Sequence, residues 1–379
     1  MNFDVKRVYI HYPFCLTKCH YCNFAAGVPP KEEFLKPYHD ALLLEINAYR
    51  EMLTEPLDSL YFGGGTPSLM PIPDLEAILQ QFEPLIRSET EITLEANPET
   101  VTSKLAQAWE KLNINRVSLG WQSMNNSILK FLARSGNAED NIRSFETLRN
   151  AGFNNISVDR ILSVQHDTED DFFTALEACM PEHISTYQLT IEEKTVLHAW
   201  TQQKKYLPLT DGAALKIEAK TESRLAELGF ERYEISNYCR NKNIGRHNTG
   251  YWNYDYYLGL GAGAAGFLPE AHSWGLRYTN PFSFKNYLKS NRPAESEQIH
   301  HETAVKEALM LGIRRLEGIE KHSFENRLNI KWDTLFPNGT DPQFFDDTPQ
   351  RLILKHSMIP LANPAVLSLW EALNLSIFS

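Results

Sequence analysis

Three of the five cysteines in this 379-residue chain fall within eight positions, in the stretch PFCLTKCHYC. Three residues separate Cys15 from Cys19, and two separate Cys19 from Cys22. An odd number of clustered thiols makes no disulfide framework, and nothing marks secretion, so reduced thiols are expected. Three chemistries are open to them. A structural zinc site would need a fourth ligand, such as His11 or His20, at a spacing cramped for zinc. A redox pair would be Cys-x-x-Cys, here with an extra cysteine upstream. A [4Fe–4S] cluster normally takes four thiolates; held by three, it keeps one iron open to a substrate or cofactor.

Other polar residues fall where a ligand could meet them. YFGGGTPS places Gly63, Gly64, Gly65 and Thr66 at the end of a strand-like run. Glycines there can turn through positive φ and bring backbone polar groups close to a ligand. No Gly-Lys-Thr follows, so this is not a phosphate loop, and Ser68 replaces the third glycine of a dinucleotide fingerprint. A tight turn is the plain alternative. Glu95 and Gln122 close two further runs, and Asp159 lies within another. In a parallel barrel such strand ends share one mouth.

The elements that must position these residues recur regularly. Runs at 7–13, 59–65, 91–97, 116–122, 155–162 and 183–190 are rich in Val, Ile, Leu, Tyr and Thr, as strands are. Helical patterns separate them. Repeated strand–helix alternation predicts an α/β fold with parallel strands, closing as a partial or full (β/α) barrel, with an open doubly wound sheet as its rival. After residue 200 the rhythm changes. An amphipathic helix is expected over 211–230, with further helices near 281–290 and 302–315. Prolines punctuate a small C-terminal module. The expected division is a barrel core over 1–210, an extension over 211–318 and a module over 319–379.

Composition narrows the partners. Apolar residues make up 42%, enough for a buried core, and the net charge is −11. An acidic chain without a basic stripe repels nucleic acid and a general membrane surface. No run approaches the roughly 18 apolar residues of a membrane helix, and the first residues do not read as a signal peptide. No integral membrane segment and a cytoplasmic location are therefore expected.

The cysteine spacing, with Tyr21 just before the last cysteine, resembles the signature of the radical SAM superfamily. That resemblance implies a [4Fe–4S] cluster on Cys15, Cys19 and Cys22, with S-adenosylmethionine on the fourth iron. It implies further cofactor contacts. Gly64, Gly65 and Thr66 match the turn that binds the methionine amine, joined by Glu95. Gln122 and Asp159 match contacts to the ribose, Arg134 to the methionine carboxylate, and Tyr9 and Tyr21 to the cofactor at large.

YIHYPFC, YFGGGTP, LEANPE, GWQSMNN and EHISTYQLTIE are similar to one branch in particular. It holds anaerobic coproporphyrinogen III dehydrogenase, a porphyrin-pathway enzyme, and the HemW family of haem chaperones. Phe24 stands where the dehydrogenase has a fourth cysteine, and fourteen residues precede Cys15 where that enzyme has a long extension. HNTGYW resembles the HemW motif. The resemblance therefore implies a chaperone that binds haem and passes it to haem-accepting proteins, with His247 as candidate haem ligand, rather than the dehydrogenase. Two departures stand out. Ser163, Val164, Gln165 and His166 replace a glycine- and proline-containing loop, and Gly136 replaces a histidine. Cys179 and Cys239 read as buried structural thiols, with a haem thiolate at Cys239 as the lesser alternative.

Overall fold

Side-chain alternation along the six runs sets the sheet. In the computed structural model, which describes residues 4–29, 35–290 and 293–378, they form β1 (Arg7–Tyr12), β2 (Ser59–Gly64), β3 (Glu91–Ala96), β4 (Arg116–Gln122), β5 (Ile156–Leu162) and β6 (His183–Gln188). Each pairs in parallel with the next. The returns are made by α1 (Leu35–Tyr49), α2 (Ile72–Phe82), α3 (Ser103–Lys111), α4 (Asn126–Phe131) and α5 (Ala138–Asn150), and α6 (Asp170–Cys179). One parity of each strand is apolar and buried against them: Val8 and Ile10, Leu60 and Phe62, Ile92 and Leu94, Val117 and Leu119, Ile156 and Val158. The other parity is polar: Tyr9 and His11, Ser59 and Tyr61, Glu91 and Glu95, Arg116 and Ser118, Ser157 and Asp159, His183 and Ser185. Parallel strands covered on both faces usually read as continuous apolar runs. The alternation here gives the sheet one face for packing and one for chemistry.

After α7 (Val196–Gln202) and α8 (Asp211–Glu227), the chain returns to the same sheet. β7 (Glu231–Arg232) and β8 (Asn237–Cys239) add antiparallel strands beyond β6. α9 (Arg246–Trp252) follows, and β9 (Leu258–Leu260) pairs in parallel with β1. The strand order is β7-β8-β6-β5-β4-β3-β2-β1-β9. Among the described residues its two ends do not pair, so the closure is the partial barrel rather than the full one.

β10 (Ala265–Leu268), β11 (Leu276–Thr279) and β12 (Glu295–Gln298) make a separate antiparallel sheet. α10 spans only Phe284–Tyr287, shorter than the helix expected over 281–290. Beyond Leu288 the sequence KSNRP offers no apolar face to bury, and packing of such a face is what sustains a short helix. α11 (His301–Gly312) leads to α12 (Lys321–Leu328), α13 (Trp332–Leu335) and α14 (Ala362–Ala372). These surround a small sheet of β13 (Ile319–Glu320), β14 (Phe345–Asp347) and β15 (Arg351–Leu354). Buried side chains of this C-terminal part, such as Leu328, Trp332 and Leu369, join the apolar core that begins at Val5. Among the described residues, no helix is long and apolar enough to cross a membrane.

Candidate functional site

The loop after β1 is pinned backbone to backbone. Cys15 N–H donates to Gly27 O at 3.0 Å, Gly27 N–H to Pro13 O at 2.9 Å, and Cys22 N–H to Cys19 O at 3.2 Å. Lys18 ties the loop across itself, its Nζ 3.0 Å from Phe24 O and 2.8 Å from Ala26 O. Gly65 N–H reaches Tyr12 O at 2.7 Å and joins the loop to the end of β2. Cys15, Cys19 and Cys22 are free, half-buried thiols lining one cavity of about 320 Å³. The same cavity is lined by Tyr21, Gly64, Gly65, Thr66, Glu95, Gln122, Arg134 and Asp159. Residues from five successive strand ends and their loops thus converge, as a parallel sheet with one mouth requires.

Glu95, Asp159 and Arg134 are each held by neighbours. Tyr61 donates to Glu95 Oε1 at 2.7 Å, and Gly64 N–H donates to Glu95 Oε2 at 3.2 Å. Burial pushes the Glu95 carboxyl up to about 7, opposed by the Tyr61 hydrogen bond and reinforced by Asp159. Burial also raises Asp159, which accepts from Ser118 Oγ at 3.1 Å. Gln122 sits at φ +62°, beside a register shift in β4. Arg134 Nη2 donates to Asn97 Oδ1 at 2.7 Å and Gly120 O at 2.9 Å, while Nη1 lies 3.7 Å from Cys19 Sγ.

Asn97 and Gly120 escaped sequence reasoning. A Cβ at Gly120 would come within 3.0 Å of Gln122 Nε2 and 3.2 Å of Arg134 Nη2, so the absent side chain is what seats both. The signal for Asn97 was its place just after β3. Ser118 was legible by parity, two strands from Tyr61 on the same polar face.

Several expected residues lie elsewhere. Tyr9 does not line the cavity; its hydroxyl is 3.0 Å from His11 Nδ1 on the barrel's polar face. The histidines considered as zinc ligands are turned away from the thiols: His11 Nε2 donates to Ala25 O at 3.0 Å, and His20 Nδ1 to Phe131 O at 2.7 Å. His247 sits at the opposite end of the strands. Its backbone N–H and that of Arg246 donate to the carboxylate of Glu91, the first residue of β3. Its Nδ1 lies 2.8 Å from the hydroxyl of Ser59, the first residue of β2, and its Nε2 lies 2.8 Å from Tyr251 Oη. The ring is 1% exposed and stacks on Tyr61 at 4.9 Å. Burial, with Arg7 and Arg116 nearby, lowers it to about 3. With both ring nitrogens within hydrogen-bond distance of hydroxyls and the residue buried, His247 presents no free nitrogen to a ligand. Cys239 is buried as expected, but Cys179 is only half-buried.

The departing loop keeps an unusual backbone. Ser163 and His166 both adopt positive φ, at +62° and +64°, the conformation glycine takes without cost. Asp167, just beyond, pairs with Arg160 at 3.0 Å, with the two side chains 6% and 2% exposed, and accepts from Ser123 at 3.0 Å. Gly136, at the other departure, faces Glu99, whose Oε1 is buried without a partner.

A donor set of three thiols and no close histidine among the described residues fits an iron–sulfur cluster. Among the described residues, no three His, Cys, Asp or Glu side chains gather around one point tightly enough to hold a metal ion. Three thiols lining one shared cavity suit a cubane. Gly65 makes room for it: a Cβ there would stand 2.9 Å from Cys15 Sγ and 2.7 Å from Phe14 O.

Comparison with known proteins agrees with this geometry. The sequence profile of the Radical SAM superfamily matches residues 9–179. The heme chaperone HemW of Lactococcus lactis subsp. lactis (strain IL1403) is 31% identical over 343 residues, covering 87% of each chain. The mitochondrial radical S-adenosyl methionine domain-containing protein 1 of Mus musculus is 34% identical over 345 residues, covering 86% of this chain and 77% of that one. In fold, the chain is similar to the coproporphyrinogen III oxidase HemN of Escherichia coli, with a TM-score of 0.80 over 97% of this chain and 90% of that one, at 16% identity.

Proposed function

The chain belongs to the HemW family within the radical SAM superfamily, and from that membership we propose that it is a haem chaperone carrying a [4Fe–4S] cluster and S-adenosylmethionine. The observation that carries the cofactor half is the convergence of Cys15, Cys19 and Cys22 with Glu95, Gln122, Arg134 and Asp159 on one cavity. The carrier half is supported by the HemW relatives, which are named heme chaperones. It is also supported by Phe24, 60% exposed on the cavity rim, where a dehydrogenase of the resembled branch has a fourth cysteine.

The cysteines would hold three irons. When bound, such a cluster supplies an open iron and one electron for a ligand. The remaining roles belong to the chain. Gly64 and Gly65 let the backbone approach the ligand, and ionised Glu95 receives an ammonium group. Arg134 is already oriented by Asn97 and Gly120 O, so its fixed fork meets a carboxylate with little ordering cost. Asp159, steadied by Ser118, accepts from hydroxyls together with Gln122. Ile161, Tyr187 and Leu189 form the apolar part of the wall and limit water.

The test is anaerobic reconstitution followed by two assays on one preparation. About four irons and four sulfides per chain are expected. Haem should bind and pass to an acceptor apoprotein, while coproporphyrinogen III with S-adenosylmethionine and reductant should remain unconverted. Stoichiometric zinc on the cysteines would overturn the cofactor reading. Conversion of coproporphyrinogen III would overturn the carrier reading.

A further inference from the structure

Between two cavity residues stands a histidine that turns the other way. Cys19, Tyr21 and Cys22 line the cavity; His20 does not. Its backbone is fixed on both sides, by Leu132 O accepting from its N–H at 3.1 Å and by Leu197 N–H donating to its carbonyl at 2.9 Å. Its Nδ1–H donates to Phe131 O at 2.7 Å, which leaves the lone pair on Nε2. Nε2 has no partner among the described residues and is not closed off from solvent. An imidazole whose Nδ1–H is held by a carbonyl has its tautomer and ring orientation set, the usual arrangement of a histidine that ligates a metal.

The surroundings suit a flat, acidic ligand. Trp200 lies 4.6 Å from the His20 ring, backed by Phe131 5.7 Å from Trp200 and by buried Tyr206 5.2 Å from Phe131. Val196, at the start of the same helix, is 42% exposed. Lys204 and Lys205 follow that helix, exposed and without an ion pair among the described residues, and Lys205 N–H donates to Trp200 O at 2.8 Å. A free axial nitrogen, an aromatic wall and two unpaired cations in an acidic chain match iron, porphyrin plane and propionates.

We propose that haem is ligated by His20 Nε2 on the outer side of the cysteine loop, against α7, so that cargo and S-adenosylmethionine occupy different faces of one loop. This rests on the carrier reading above. His247, buried at the far end of the sheet, plays no part.

The experiment titrates ferric haem into the full, cluster-loaded chain under anaerobic conditions, recording absorption. His20→Asn keeps a donor for Phe131 O and removes the imidazole. It should lose the low-spin imidazole spectrum and bind about tenfold or more weakly. Added imidazole should restore the spectrum. Saturating S-adenosylmethionine should leave haem affinity unchanged. A replacement of both Lys204 and Lys205 by Ser lies outside the cysteine loop. It should weaken haem binding with the spectrum retained, which keeps the site testable if His20→Asn sheds its cluster. An unchanged spectrum and affinity in His20→Asn, or displacement of haem by S-adenosylmethionine, overturns this site while haem carriage stands. Failure of the unsubstituted chain to bind haem at all overturns both.

Discussion

Tyr61 donates its hydroxyl to Glu95 across neighbouring strands at 2.7 Å, and on its other side the same ring stacks on His247 at 4.9 Å. One tyrosine therefore separates the cavity end of the barrel from the end sealed by α9. The cavity side is open and carries Glu95, Asp159 and Arg134, whereas the α9 side is closed around buried His247. Substitutions on the two sides should have different consequences.

Glu95 sets a pH dependence. Its folded value of about 7 lies above the ordinary 4.5, so the folded chain holds this proton more tightly than the unfolded one. Its contribution to stability is therefore full below pH 4.5 and is lost as pH rises through about 7, at up to about 1.4 kcal/mol per pH unit. Affinity for S-adenosylmethionine should run the other way. It should fall below pH 7, because a protonated carboxyl no longer attracts an ammonium group. Glu95→Gln should flatten both profiles relative to the unsubstituted chain, as read by denaturant unfolding and equilibrium binding. A binding profile unchanged by Glu95→Gln counts against its role at the cofactor.

Gly65→Ala should cost the cluster. The added methyl meets Phe14 O at 2.7 Å, Tyr12 O at 2.9 Å and Cys15 Sγ at 2.9 Å, and backbone atoms cannot step aside cheaply. Iron and sulfide content should drop while the circular dichroism spectrum stays native. Gly212→Ala is the control, because nothing lies within 4 Å of its added methyl. Full iron loading in Gly65→Ala would show that the loop is softer than its hydrogen bonds imply.

Asp167→Ala should destabilise the fold by about 3–5 kcal/mol, because it strands the buried Arg160 guanidinium. The loop carrying Ser163 and His166 at positive φ should loosen with it, weakening S-adenosylmethionine binding. Denaturant midpoints and ligand titration read the two effects separately. A loss of under about 1 kcal/mol would mean that water replaces the carboxylate.

His247→Ala should lower stability by about 2–4 kcal/mol, the sum of a cavity and two hydroxyls, buried Ser59 and part-buried Tyr251, left without this partner. At temperatures where this variant stays folded, iron content and haem absorption should match the unsubstituted chain. A changed haem spectrum there would return His247 to the ligand set.

Local sequence determined what depends on local periodicity and spacing. The thiols of Cys15, Cys19 and Cys22 were legible because a short loop cannot spread them far. The six strands were legible because a period of two is written along each, and the same parity placed Glu95 and Asp159 on the polar face. Glycines before Thr66 announced the turn that carries the cavity wall. Tertiary structure decided which end of the barrel a later segment meets. HNTGYW reads equally well as a surface motif or a plug, and only the hydrogen bonds from Arg246 and His247 to Glu91 send it inward. Arg134 depends on Asn97 and Gly120, both distant in sequence, and His20 is turned outward by Phe131 and Trp200. Side-chain direction at such positions follows from long-range packing and hydrogen-bond satisfaction, which residue type and spacing along the chain do not encode.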